Sequence, residues 1–402
     1  MVMTSLAWRT IGTDQLTLEG VLEIGDGYRA KNSEMSQSGL PFARAGNINN
    51  GLHFEDADIL DEASVAKAGD KTSRPGDIVF TSKGTVGRFA FVTSTTQPFA
   101  YSPQLCYWRV RDTSVIDPHF LYCWMRGREF MDQVSGVKGL TDMADYVSLY
   151  DQRRMKITLP PLPTQRKIAA VLSAYDDLIE NNTRRIALLE ETARALYREW
   201  FVEFRYPGHA SVPLVESPLG PIPQGWRVVK LGDAVELAYG KALTAEGRNE
   251  GSVPVYGSSG IVGYHDSPLV DGPGIIVGRK GNVGSVHWSD EAFYPIDTVY
   301  FVRSKIPLPY LYFNLQSQRF INNDAAVPGL NRNQAYSLPL LIPSPEALTS
   351  FVDFINPVFA QVRTIRQANA NLRRTRDLLL PKLVSGEVDV EGVEIEVDEE
   401  VG

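Results

Sequence analysis

From Ile168 onward, apolar residues recur at alternating steps of four and three: Leu172, Tyr175, Ile179, then Asn182, then Ile186, Leu189, Ala193, Leu196 and Trp200. The same rhythm returns 183 residues later as Phe351, Ile355, Val358, Val362, Ile365, Asn369, Leu372, Arg376, Leu379 and Leu383. A 3.5-residue period predicts two long helices, each with a heptad seam. Each seam covers 33 residues, a length of about 50 Å at 1.5 Å per residue. Elsewhere the apolar runs are short and bounded by glycine and polar turns, which predicts strands at 77–80, 89–93, 105–110, 274–277 and 298–302. Short helices are expected to start near Asp117 and Leu308. The fold class is therefore mixed α/β.

The chain repeats itself. RPGDIVFTSKGTVGRFAF at 74–91 aligns with DGPGIIVGRKGNVGSVHW at 271–288, placing Lys83, Gly84, Val86 and Gly87 on Lys280, Gly281, Val283 and Gly284. Leu121 and Tyr122 match Leu311 and Tyr312, and Val137, Gly139 and Leu140 match Val327, Gly329 and Leu330 in the same order. LPPLP at 159–163 and LIPSP at 341–345 precede the two long helices. The resulting organisation is a first module at 1–163, a helix at 164–205, a proline-rich linker at 206–225, a second module at 226–345, a helix at 346–384 and an acidic tail at 385–402. Two apolar stripes of this length are expected to bury each other. Antiparallel pairing under a pseudo-twofold sets Asn182 opposite Asn369, Tyr175 opposite Arg376 and Trp200 opposite Phe351, with the asparagine pair fixing the register. The other arrangement packs each helix on its own module.

Charge and composition narrow the class. The 402 residues are 43% hydrophobic and carry 40 Lys and Arg against 48 Asp and Glu. All of that surplus lies in the eight acids after Gly386, so the tail reads as a solvated charged segment and the body as neutral. Neutrality predicts weak intrinsic affinity for nucleic acid. No run approaches the ~18 apolar residues of a membrane helix, the opening residues 1–8 do not form a signal sequence, and two cysteines make no disulfide framework. A cytoplasmic protein without membrane contact is expected.

Candidate chemistry is recognition rather than catalysis. The chain has no phosphate-binding loop, dinucleotide fingerprint or nucleophile elbow, and no metal-ligand spacing is apparent. DPHF at 117–120 approaches the D-P-P-Y signature of amino methyltransferases, but an Asp cap followed by Pro at the first helical position accounts for it. What recurs is TSKGTVG at 81–87 and GRKGNVG at 278–284: a base and small polar side chains on a glycine-permitted turn. Such loops suit phosphates and base edges. Together with the polar turns at 44–49 and 255–264, they nominate Arg44, Asn47, Ser82, Lys83, Thr85 and Arg88 in the first module, and Tyr256, Ser258, Ser259, Arg279, Lys280 and Asn282 in the second. A tandem carbohydrate- or protein-binding module on a coiled coil fits the same residues.

The layout resembles the specificity subunit of type I restriction-modification systems over essentially residues 5–388. SPLGPIPQGW at 217–226, PVYGSSG at 254–260 with IIVGRKG at 275–281, LPPLPTQRKI at 159–168 and LLPKLVSG at 379–386 carry the likeness; the second helix entry, IPSPE at 342–346, lacks the Gln of the first. The resemblance implies two target recognition domains that each read half of a split, asymmetric sequence in double-stranded DNA, with the helices setting the spacing. A rod of about 50 Å spans roughly 15 base pairs. It also implies no catalytic activity and no cofactor in this chain. Two methyltransferase subunits would bring S-adenosylmethionine, and restriction subunits would bring ATP and Mg.

Overall fold

The computed structural model describes residues 8–49, 51–137, 145–321 and 329–392. Gly139, Leu140 and Val327, named in the repeat, lie outside the described residues, as do residues 1–7 and tail residues 393–402. The chain divides into two compact units: the residues up to Glu180 with those from Ala370 onward, and Asn181–Asn369 between them.

Unit 1 holds a four-stranded antiparallel sheet in the order Leu22–Asp26, Leu105–Val110, Ile78–Thr81, Phe89–Phe91. A second sheet runs Met35–Ser36, Ile59–Leu60, Leu40–Ala43, Ala100–Tyr101, its last pair parallel. Arg9–Gly12 pairs with Lys156–Leu159 where the chain enters and leaves. Inward side chains close the core: Trp108, Trp124, Phe80 and Phe130 are fully buried and meet edge to face or tilted, Phe80 and Phe130 at 5.5 Å. The short helix Pro118–Met125 begins as expected, with Asp117 Oδ1 accepting the Phe120 N–H at 2.8 Å and Pro118 in the first turn. His119 stacks on Phe91 at 4.1 Å, and burial holds its imidazole below the usual range. The DPHF tetrapeptide is a helix start.

Unit 2 repeats this plan. Its main sheet runs Val235–Tyr239, Val299–Ser304, Gly274–Gly278, Val286–Ser289; a smaller sheet runs Gly260–His265, Val253–Gly257, Tyr294–Pro295, again ending in a parallel pair; and Arg227–Lys230 pairs with Pro339–Ile342. The stretch 206–225 differs from the linker its prolines predict. Tyr206 and Ile222 are buried, Leu214–Val215 pairs with Ile222–Pro223, and Tyr206 lies 5.0 Å from Trp226. Phe204, at φ 58°, turns the chain back so that its ring meets Trp226, which is why the first long helix stops at Phe201 rather than 205.

The long helices, Leu162–Phe201 and Pro345–Val384, contribute to both units. In unit 1, Ile168 and Leu172 share a core with Leu380, Leu383 and Val384, and Asp176 accepts hydrogen bonds from Arg376 and from Arg126, the latter at 3.1 Å. The seam expectation had put Tyr175, one residue earlier, opposite Arg376. In unit 2, Tyr197, Trp200 and Phe201 pack with Phe351 and Ile355, Trp200 and Phe351 rings at 5.8 Å. Within each unit the two helical segments run antiparallel, and both also bury their ends in the sheet cores. The described start of the tail, 385–392, is less solvated than its charge predicts: Val390 is buried in the unit 1 core, and Lys167 Nζ donates to the Glu391 carbonyl at 2.9 Å.

In unit 2, Asn182 Nδ2 donates to Asn369 Oδ1 at 2.9 Å, with Asn369 almost fully buried. Cysteines placed at 182 and 369 are expected to form a disulfide in the folded chain under mild oxidation, read as a mobility shift on a non-reducing gel; a folded, uncrosslinked double variant would contradict this register.

Candidate nucleic-acid interface

The duplicated loops are built alike. Gly84 and Gly87 have φ of 82° and 98°, and Gly281 and Gly284 both have 78°, conformations that a side chain resists. The Val86 N–H bonds to the Gly84 carbonyl at 3.0 Å, as Val283 does to Gly281, and Gly87 and Gly284 close the turns on the Thr81 and Gly278 carbonyls. The effect is to lift Lys83 and Lys280 to the rim of each main sheet. Lys83 and Thr85 are exposed, Lys280 half-buried and Asn282 exposed.

Not every nominated side chain reaches solvent. Ser82 is 1% exposed, with its Oγ accepting from Cys106 Sγ at 3.2 Å. Burial pushes the Cys106 thiol up, which keeps it a donor. Tyr256 is 7% exposed and packs edge to face on Phe293. Both were expected at the surface because a strand-to-turn boundary cannot be placed to one residue from sequence; each lies on the inward side of its strand end. Asn47 spends its amide locally, Oδ1 accepting from the Arg44 N–H at 2.8 Å and Nδ2 donating to the His53 carbonyl. Arg88 donates to the Ala45 and Ile48 carbonyls, tying the 44–49 turn to the lysine loop. In unit 2, Ser258 plays the same latching part: its Oγ accepts from the Asn282 N–H at 3.3 Å and its carbonyl from Ser285 Oγ at 2.5 Å. Ser259 is exposed beside it. Asn47, Arg88 and Ser258 hold loops in place rather than presenting free groups.

Arg44 and Lys83 line one cavity of about 300 Å³ in unit 1, with Phe42, Ser102, Pro103 and Gln104. Arg44 is half-exposed and salt-bridged to Asp58 at 2.6 Å. In unit 2, Arg279 donates to the Asp297 carbonyl at 2.7 Å and lies over the Tyr239 and Tyr300 rings, while Arg332 covers Tyr239 at 4.9 Å. Burial pushes the Tyr300 hydroxyl up to about 12, so it stays neutral beneath these cations. A half-exposed tyrosine flanked by two guanidiniums offers stacking and charge together. Ser102, Gln104, Tyr239 and Arg332 were missed from sequence, since they come from segments remote from the lysine loops and carry no repeated pattern. Among the described residues no cluster of His, Cys, Asp and Glu could hold a metal ion, and no helix is long and apolar enough to cross a membrane.

A family model described as the type I restriction modification DNA specificity domain matches residues 12–191 and 223–374. The type I restriction enzyme MjaIX specificity subunit of Methanocaldococcus jannaschii is 26% identical over 267 residues, 60% of this chain and 62% of that protein. The HindI specificity subunit of Haemophilus influenzae is 21% identical over 437 residues, 86% of this chain and 94% of that protein. In fold, the chain is similar to the crystal structure of a type I restriction-modification S subunit from M. genitalium, with a TM-score of 0.56 at 16% identity, covering 95% of this chain and 98% of that one.

Proposed function

Since the chain belongs to the DNA specificity subunits of type I restriction-modification systems, which carry no catalytic activity themselves, we propose that its two units each read one half of a split, asymmetric sequence in double-stranded DNA. The observation that supports this most directly is the duplication of a lysine-bearing glycine turn at the same edge of two equivalent sheets, with matching φ values at all four glycines. Lys83, Thr85 and Arg44 in unit 1, and Lys280, Asn282 and the Arg279–Tyr239–Arg332 stack in unit 2, are the groups assigned to DNA. The continuous 40-residue helices would set the spacing between half-sites, held in register by Asn182 and Asn369.

In this reading two methyltransferase subunits using S-adenosylmethionine, and restriction subunits using ATP and Mg, dock on the chain and supply all chemistry in the cytoplasm. The neutral body accords with that division, because counterion release scales with the number of bases that meet phosphates. Methylome sequencing of cells with and without the gene tests it. A bipartite methylated motif is expected to vanish on deletion and return on complementation; a methylome unchanged by deletion would favour the carbohydrate- or protein-binding module instead.

A further inference from the structure

We propose that the unit 1 cavity formed by Phe42, Arg44, Lys83, Ser102, Pro103 and Gln104 reads a guanine of one half-site through its major-groove edge, an assignment that rests on the DNA-reading function above. Each polar group left uncommitted there is able to donate. Lys83 forms no ion pair among the described residues and has only donors. Gln104 Oε1 already accepts the Ala45 N–H at 3.2 Å, which leaves its Nε2 amide as the free end. Ser102 is 2% exposed, and its Oγ is buried without a hydrogen-bond partner, a costly state that rotation toward an acceptor relieves. Arg44 keeps N–H groups beyond the one held by Asp58.

In the major groove guanine alone shows two acceptors, N7 and O6, and no donor; adenine and cytosine place an amino group there and thymine a methyl. A set led by the lysine, arginine and amide N–H donors, with the Ser102 hydroxyl able to add one more, therefore favours guanine over the amino edges of the other two. A backbone phosphate is also acceptor-only, but Asp58 beside Arg44 repels it, and the walls of Phe42 and Pro103 suit a flat base edge better than a hydrated anion.

The site belongs to one unit only. The Ser102 N–H bonds to the Ala43 carbonyl at 3.0 Å and its carbonyl accepts from Leu105; Ile296 makes the same two bonds, to Tyr256 and from Val299. Ser102, Pro103 and Gln104 thus correspond to Ile296, Asp297 and Thr298, and Arg44 to Gly257, so of the four donors unit 2 keeps Lys280 and has only a threonine hydroxyl in place of the Gln104 amide.

The test uses the full chain assembled with its methyltransferase subunits and needs no altered protein in its first arm. Duplexes carrying 7-deazaguanine, which lacks N7, are placed at each guanine of the methylated motif in turn. One position in one half is expected to weaken binding by roughly 5- to 150-fold, and the double variant Lys83→Ala, Gln104→Leu is expected to show no further loss there. Methylomes made with that variant, or with the conservative Ser102→Ala, should relax the same position and leave the other half unchanged. An unrelaxed motif with both variants, or a uniform fall at all sites with no relaxed position, as a phosphate contact gives, overturns the guanine site. Absence of any bipartite motif with the unaltered chain would instead remove the DNA-reading function beneath it.

Discussion

Replacing Asp77 by alanine is expected to destabilise unit 1 by about 3–5 kcal/mol. Asp77 is fully buried, and its carboxylate takes Arg109 Nε at 2.6 Å, Arg109 Nη2 at 2.8 Å and the Tyr101 hydroxyl at 2.6 Å. Arg109, 4% exposed, also donates to the Thr72 carbonyl, and its pairing with Asp77 and Glu23 raises its pKa. Removing the carboxylate leaves the phenol without its acceptor and the buried guanidinium with the Thr72 carbonyl and the more distant Glu23, at 3.9 Å, and that under-compensated charge is the source of the cost. Hydrogen exchange of the Ile78–Thr81 amides should report it as a loss of protection; protection within about 1 kcal/mol of the unaltered chain would contradict the assignment. The double replacement Asp77→Leu, Arg109→Met is expected to recover most of the loss, because apolar residues of similar size often replace a buried ion pair at little cost. Unit 2 already shows the sheet built without the pair. Gly274 stands where unit 1 has Asp77, with the Phe293 ring packed against it, and Arg303 is exposed and pairs with Glu236 at 3.6 Å.

The second large effect is expected for Phe351→Ala, at about 3–5 kcal/mol in unit 2. Phe351 is fully buried, and its ring meets Phe201 at 4.9 Å, Trp200 at 5.8 Å and Tyr197 and Phe313 at 6.2 Å. It is the point where the start of the second long helix, the end of the first and the short helix Leu308–Ser317 converge. Four aromatic partners on two other helices cannot collapse together to fill the void, which places the cost at the upper part of the range. Phe351→Leu keeps much of the volume and should lose far less. Urea unfolding followed by tryptophan fluorescence checks both; equal midpoints for the Ala variant and the unaltered chain would show that the cluster does not hold unit 2 together.

The helical seams, the strands at 78–81, 105–110 and 274–278 and the short helices at 118 and 308 were legible in sequence because each depends on local periodicity or capping. The duplication was legible for a related reason: Lys83 and Lys280 sit on glycines whose positive φ any copy of the turn must keep. The ordered state of 206–225 was hidden, since its prolines describe local stiffness and say nothing of Tyr206 and Ile222 finding a core to enter. Ser82 and Tyr256 were misplaced for want of a pleat phase, as one residue's shift along a strand exchanges inside for outside.

Sequence alone thus determined that this protein has two copies of one recognition fold, two long helices and paired lysine turns, features that local pattern imposes. Only the tertiary structure decided that each unit takes a segment from both helices, that Ser102 and Gln104 join Arg44 and Lys83 at one cavity, and that Arg332 and Arg279 enclose Tyr239. Those arrangements join residues tens to hundreds of positions apart, and what brings them together is the burial of apolar surface around a common core, a quantity that no local stretch of sequence contains.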